Sequence, residues 1–123
     1  VIALRADLLS AFRSGSIDVV LANPPYVSRA EMAELPPEYS AEPRIALEAD
    51  AEGTELAVRL LREGARVLAP YGLMLLEVGE TWMTLEDRLP KVPFLWIELP
   101  QGGSGVAVIS AQELRDWDAA GIL

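Results

Sequence analysis

The sequence, 123 residues long, predicts one domain of the α/β class built on a single sheet. Two runs, residues 17–22 and 73–78, are apolar at both odd and even positions, which is typical of strands buried on both faces of a parallel sheet. A segment with helical spacing of its apolar residues separates them, and two later β-prone runs flank a glycine-rich turn. This order of strand, helix, strand, helix and hairpin predicts a parallel sheet with an antiparallel C-terminal hairpin.

The first part of the chain predicts two short elements before the first long strand. Residues 1–4 are β-prone, and residues 8–12 predict one helical turn that ends at a serine- and glycine-rich break. The run at 17–22 must end at Asn23-Pro24-Pro25, because proline has no N–H to donate to a strand ladder.

The middle of the chain predicts a long loop, a helix and a strand. Residues 26–50 hold several prolines and no sustained period, so they predict a loop with a short helix near residues 30–35. Thr54 is placed to cap a helix that runs to about residue 68 and ends at Pro70-Tyr71-Gly72. Residues 73–78 then predict the second buried strand.

The last third of the chain predicts a helix and a β-hairpin. Residues 81–89 predict a helix that ends at Pro90. Residues 94–99 and 106–109 predict two strands joined by a turn at residues 101–105. The glycines of this turn join two strands and open no helix, so they predict a hairpin turn rather than a cofactor-binding loop.

The residue composition excludes several kinds of active site. The chain has neither cysteine nor histidine, which rules out thiol catalysis, Ser-His triads and metal sites built on thiolate or imidazole, and no metal site is predicted. No apolar run approaches the roughly 18 residues that a membrane span needs, and the N-terminus lacks the pattern of a signal peptide. We therefore expect a cytoplasmic protein without a membrane segment.

The formal net charge of −9 bears on the partner of the chain. Nucleic-acid binding depends on Lys and Arg that displace counterions from phosphate, so the acidic balance predicts no direct nucleic-acid partner. Negative charge attracts a basic partner such as a ribosomal protein, although the same charge also serves solubility alone. Composition leaves both of these interpretations open.

The sequence Asn23-Pro24-Pro25-Tyr26 predicts the functional site. It follows a strand, and ligands of open α/β sheets bind beyond the carboxyl ends of the strands. An amide nitrogen is a poor nucleophile because its lone pair is delocalised, and two acceptors that take its two N–H bonds would aim that lone pair at an electrophile. The Asn23 side-chain oxygen and the Pro24 carbonyl would be those acceptors, and Tyr26 would pack on the planar amide. The alternative interpretation is a proline-stiffened turn without a chemical role.

Three segments resemble one family of methyltransferases. DVVLANPPYV, residues 18–27, resembles the fourth strand and active-site motif of class I methyltransferases that modify planar amino groups in nucleic acids or proteins. Residues 35–56 resemble the loop after this motif in the protein-glutamine N5-methyltransferases of the HemK/PrmC and PrmB group. Residues 92–114 are most similar to the ribosomal-protein branch of that group, since the release-factor branch ends without the double-glycine turn.

The resemblance implies a class I (Rossmann-like) methyltransferase sheet, with strand order three-two-one-four-five-seven-six, and S-adenosyl-L-methionine as the cofactor. It implies methyl transfer to the side-chain amide nitrogen of a glutamine in a ribosomal large-subunit protein. It assigns catalysis to Asn23 and Pro24, and substrate binding to these two together with Pro25 and Tyr26. The cofactor-binding residues that it implies are Asp7, Leu8 and Asn23.

Some residues near the motif keep a structural interpretation. Asp7 is also compatible with a turn residue at a strand end. Glu77, at the end of the second strand, is interpreted as a structural hydrogen-bonding residue rather than a catalyst. Glu42-Pro43-Arg44 is expected to shape the substrate loop.

The chain departs from the family pattern on its N-terminal side. The glycine-rich motif of the family's first strand and the acidic residue after it are absent, so we expect residues 1–123 to be the C-terminal part of the catalytic domain, with negligible cofactor affinity alone. Residues 1–4 would then lack a partner strand, and the strand at 17–22 would present an exposed apolar edge. We expect self-association through that edge or a disordered N-terminus.

Three alternative functions stay open from the sequence. A release factor could replace the ribosomal protein as substrate, and only the C-terminal segment separates these two. A nucleic-acid amino methyltransferase would share the Asn23 motif but would show affinity for DNA or RNA that falls steeply with salt. A binding module would instead use the PPxY sequence at residues 36–39, the core of a polyproline ligand for WW domains.

Overall fold

The computed structural model describes residues 1–25 and 54–123, which form a four-stranded mixed sheet with helices. The strands are β1 (Ile17–Ala22), β2 (Leu68–Glu77), β3 (Trp96–Ile97) and β4 (Val106–Ser110), and the helices are α1 (Glu55–Val67), α2 (Trp82–Arg88), which follows a 3-10 turn at Gly79–Thr81, and α3 (Ala111–Ala119). The strand order is β1-β2-β4-β3, with β1 parallel to β2 and β4 antiparallel to both of its neighbours. The predicted α/β class with an antiparallel C-terminal hairpin is confirmed. The loop predicted at residues 26–50, with its short helix, lies outside the described residues.

Helix α1 covers the sheet with an apolar face whose buried residues recur at helical spacing: Ala57, Val58, Leu60, Leu61, Gly64, Ala65 and Val67. Gly64 lies against the Met74 side chain of β2, since a Cβ at this position would collide with the end of that side chain. Thr54 is the N-cap residue, as predicted, but its hydroxyl makes no capping bond and instead accepts a hydrogen bond from Arg88 Nη1 at 2.9 Å. None of the helices in the two described ranges is long and apolar enough to cross a membrane.

The sequence interpretation missed helix α3, which packs against α1 and β2. A capping box opens it: Glu113 N donates to Ser110 Oγ at 3.2 Å, and Ser110 N donates to Glu113 Oε2 at 2.8 Å. Its buried residues are Ala111, Leu114 and Trp117, at a three-residue spacing. The start signal, serine followed three residues later by glutamate, is present in the sequence.

Two strands differ in length from their prediction. β2 begins at Leu68 rather than at residue 73, because the strand accommodates Pro70 in a bulge. Across this bulge, β2 advances from Leu68 to Leu73 while β1 advances only from Ile17 to Val19. β3 spans only Trp96–Ile97 rather than residues 94–99, because turn hydrogen bonds on either side of it use the neighbouring backbone groups.

In the described part of the chain the sheet is buried on one face only, so the prediction that both long apolar runs are buried on both faces is wrong. The inner face, toward α1 and α3, carries side chains that are at most 6% exposed: Val20, Met74 and Leu76. The opposite face, called the outer face below, carries side chains that are 36–74% exposed: Val19, Leu21, Leu73 and Leu75. No helix of the described ranges covers these outer positions, which explains why apolar residues there stay accessible.

Strand β1 is an edge strand in the described part of the chain, since it pairs only with β2. Residues 1–6 hold no regular secondary structure, and Val1, Ile2 and Leu4 are exposed, so the predicted strand at 1–4 is not formed. A β-prone run needs a neighbouring strand to satisfy its backbone groups, and no described strand offers one. The expected apolar edge is therefore present, and self-association through it stays a prediction.

Neighbouring leucines of β2 test this one-sided burial. Leu76→Ala should lower the free energy of unfolding by about 2–5 kcal/mol, because it leaves a cavity in the core. Leu75→Ala, on the outer face, should lower it by about 1 kcal/mol or less. Urea denaturation measures both values, and equal losses would contradict an accessible outer face.

Candidate active site

The carboxyl ends of β1 and β2 lie side by side at one edge of the sheet. Ala22, the last residue of β1, pairs with Leu76, so Asn23 and Glu77 follow one position further along neighbouring strands. Side chains alternate between the two faces of a strand, which places Asn23 and Glu77 together on the outer face. Both residues are exposed there.

A cleft of about 240 Å³ lies at these strand ends. Its lining residues are Leu21, Ala22, Asn23, Leu75, Leu76, Glu77 and Val106. An apolar lining with two polar side chains is typical of a binding site in which a few groups orient the ligand. The volume is below the roughly 300–1,000 Å³ of pockets that enclose drug-sized ligands, so this cleft suits a group the size of a side chain.

The two prolines of the motif make its backbone stiff. Pro24 is buried and Pro25 is half-buried, whereas Asn23 is exposed. Each proline fixes its own φ and lacks an N–H, and a proline also restricts the backbone of the residue before it. Asn23 is therefore presented to the cleft from a buried, restricted corner. Tyr26 lies outside the described residues, as do Glu42-Pro43-Arg44 and the PPxY sequence.

The β-hairpin is held next to the cleft by close backbone packing. Val78 N donates a hydrogen bond to Gly105 O at 2.8 Å. Gly105 has a φ of +68°, and a Cβ on it would overlap the backbone of Gly79. Ser104 Oγ donates to Glu80 Oε1 at 2.6 Å, a second link between the hairpin and the segment after β2. These contacts fix Val106, the wall of the cleft that β4 supplies.

Asp7 and Leu8 do not line this cleft. The Asp7 carboxylate accepts a hydrogen bond from Arg59 Nη2 of α1 at 2.8 Å, and this bond raises the pKa of the Arg59 guanidinium above its ordinary value. Leu8 is half-buried, has a φ of +48° and packs against the core. The structure therefore brings Asn23 and the prolines together but does not bring Asp7 and Leu8 to them, and the role of these two residues in cofactor binding stays a prediction.

Charged side chains of α1 hold the N-terminal segment at residues 7–12 against the helix. Besides the Arg59 bond, Glu63 Oε2 accepts from Leu9 N at 2.8 Å, and Arg66 donates to Phe12 O at 2.7 Å and to Leu9 O at 3.1 Å. Sequence reasoning missed this set of hydrogen bonds. Its signal is the spacing of Arg59, Glu63 and Arg66, which places the three side chains on one face of the helix.

Glu77 lies in the site rather than in a structural hydrogen-bond network. Its backbone pairs with Val106 in the sheet, while its side chain is exposed and lines the cleft. Within the described ranges the structure gives this carboxylate no hydrogen bond, contrary to the structural role expected from the sequence. The sequence places Glu77 near the motif, at the end of the second strand, and the register of β1 against β2 makes it the direct neighbour of Asn23.

The packing of Gly105 against Gly79 is tested by two alanine substitutions. Gly105→Ala should lower the free energy of unfolding by about 1–3 kcal/mol more than Gly15→Ala, because it adds an overlap with backbone to the strain at positive φ. Gly15 is a matched control, with a φ of +66° and open space around its would-be Cβ. Similar losses from the two substitutions in urea denaturation would show that Gly105 is not closely packed.

Comparison with known proteins identifies the relatives of the chain, although no protein-family model matches it. It is 34% identical over 118 residues to a curated protein of Francisella tularensis subsp. tularensis named ribosomal protein uL3 glutamine methyltransferase, which covers 96% of this chain and 38% of the relative. A protein of Xanthomonas campestris pv. campestris with the same name is 37% identical over 111 residues, which covers 90% of this chain and 36% of the relative. The chain thus spans somewhat more than a third of the length of these curated relatives. The predicted resemblance to ribosomal-protein glutamine methyltransferases is confirmed as a similarity over nearly the whole of this chain.

Proposed function

We propose that this chain is part of an enzyme that methylates the side-chain amide nitrogen of a glutamine in ribosomal protein uL3, with S-adenosyl-L-methionine as the methyl donor. The observation that carries the proposal is the exposed Asn23, followed by the buried Pro24, beside a cleft at the carboxyl ends of β1 and β2. The names of the two relatives support the choice of uL3 over a release factor as the substrate.

The sheet topology supports a class I (Rossmann-like) catalytic domain of which residues 1–123 form the C-terminal part. The observed order β1-β2-β4-β3, with β4 antiparallel, is the order four-five-seven-six expected for the last four strands of that sheet. The remaining strands, with the glycine-rich motif, would then lie beside the edge of β1. Their place is consistent with the edge that β1 leaves unpaired among the described strands.

The motif acts by positioning the substrate amide. The Asn23 side-chain oxygen and the Pro24 carbonyl each accept one N–H of the glutamine amide, which orients the nitrogen lone pair toward the methyl group. Tyr26 would pack on the amide plane, and Pro25 keeps the corner stiff. No charged base is needed before the transfer, because the proton of the methylated amide is acidic enough to leave to water afterwards. Holding the reacting groups in this way lowers the free-energy barrier by on the order of 7–11 kcal/mol.

The residues at the cleft fit the reactive end of the cofactor rather than the whole of it. The cofactor would supply a methyl group carried on a positively charged sulfur. Asn23, which lines the cleft, would border this end, and the Glu77 carboxylate would supply a negative charge beside it. A cleft of about 240 Å³ encloses only part of a nucleoside cofactor, so Asp7, Leu8 and the walls of the remaining domain would hold the adenine end.

The charge of the chain supports a basic protein partner. The net charge is −9, and Glu77 at the end of β2 and Glu98 just beyond β3 are both exposed. Such a surface attracts a basic ribosomal protein and repels nucleic-acid phosphate. We therefore propose that uL3 is recognised as a protein rather than through bound RNA.

A methylation assay on the full-length protein tests the function. Asn23→Ala should lower kcat on uL3 by about 100-fold or more, because the amide loses one of its two acceptors. Gln112→Ala, which also removes an exposed amide but lies on α3, should leave kcat unchanged. Methyl transfer is read by mass spectrometry of uL3, of a release factor and of RNA offered in parallel. Full activity of Asn23→Ala, or methylation only of one of the other substrates, would contradict the proposal.

A further inference from the structure

The neighbour of Asn23 across the sheet is a carboxylate. Asn23 and Glu77 lie one position beyond the pair Ala22 and Leu76, on the same face and in the same cleft. Neighbouring strands are about 4.7–4.9 Å apart, so the two side chains, which are not hydrogen-bonded to each other in this structure, come within reach of one another by side-chain rotation. Both side chains are exposed, and neither belongs to the hydrophobic core.

The chemistry of the proposed reaction makes the orientation of the Asn23 amide decisive. An asparagine side chain carries an acceptor oxygen and a donor NH2 of almost the same shape, and rotation by half a turn exchanges them. Only the side-chain oxygen of Asn23 can accept an N–H of the substrate amide. If the Asn23 amide were rotated by half a turn, its NH2 would face the NH2 of the substrate and no hydrogen bond could form. The prolines fix the backbone of this residue but not the rotation of its terminal amide.

We infer that Glu77 is a positioning residue that accepts a hydrogen bond from the side-chain NH2 of Asn23 and so keeps the Asn23 oxygen facing the substrate amide. A carboxylate only accepts hydrogen bonds when ionised, so it selects the NH2 of Asn23 and rejects its oxygen. This inference rests on the proposed function, since it concerns the residue that would hold the glutamine.

Within residues 1–25 and 54–123, the other side chains around the cleft cannot take this role. Leu21, Leu75 and Val106 line it with apolar side chains. Glu80, the next carboxylate along the chain, does not line it and accepts a hydrogen bond from Ser104 Oγ at 2.6 Å instead. Glu80→Gln is therefore a matched control, because it removes one negative charge close to the same strand end while the glutamine oxygen can still accept the hydrogen bond from Ser104 Oγ.

A donor–acceptor swap in the full-length protein tests the inference. Glu77→Gln should lower kcat on uL3 by about tenfold with little change in KM, because a neutral amide at this position can donate as well as accept. Asn23→Asp should lower kcat by about 100-fold, because two carboxylates then face each other. Adding Glu77→Gln to Asn23→Asp should raise kcat by about tenfold, since the new NH2 donates to the new carboxylate and one oxygen is again free for the substrate.

Glu77→Gln should therefore lower kcat in the otherwise unsubstituted protein and raise it in the Asn23→Asp variant. If Glu77 had a merely structural role, the same substitution would lower kcat in both proteins. The inference is overturned if Glu77→Gln has no effect, if it lowers kcat by the same factor in both backgrounds, or if Glu80→Gln causes the same loss. Circular dichroism and thermal unfolding confirm that each variant is folded. Absence of uL3 methylation by the unsubstituted protein would instead refute the proposed function itself, so the two failures are distinguishable.

Discussion

The hydrogen bonds that pair β1 with β2 in parallel, in the register that sets Ala22 opposite Leu76, bring the two polar residues of the cleft together. Asn23 and Glu77 are remote in sequence and become neighbours only through this ladder. A shift of one residue would turn either side chain to the opposite face of the sheet, because faces alternate along a strand. The same shift would expose Met74 or Leu76, which are fully buried, so the hydrophobic core enforces the register that the site needs.

The hydrophobic core and the proposed site thus lie on opposite faces of one sheet. The inner face packs against α1 and α3, which bury the side chains of Val58, Leu61 and Leu114. The outer face carries the cleft at its carboxyl edge and a row of accessible apolar side chains behind it. Rigid strands presenting a site at their ends are the usual arrangement in open α/β sheets, where the loops beyond the strands carry specificity.

Local patterns predict α1 and β1 closely, since helical spacing gives residues 55–67 and prolines end the strand before Asn23. Helix α3 is missed, although its capping signal at Ser110 and Glu113 is local. Apolar residues alone predict that both long strands are buried on both faces, and they cannot reveal that no described element covers the outer face. The order of the strands places Glu77 near the motif, but its position as the direct neighbour of Asn23 depends on strand register rather than on any motif.

In the proposed mechanism, Asn23 and Pro24 hold a carboxamide by both of its N–H bonds. A crystal structure of the full-length protein, bound to demethylated cofactor and a glutamine-containing peptide of uL3, measures the two distances involved. The glutamine amide nitrogen should lie about 2.7–3.2 Å from both Asn23 Oδ1 and Pro24 O. A peptide glutamine seated elsewhere, or an Asn23 that turns its nitrogen toward the substrate amide, would contradict it.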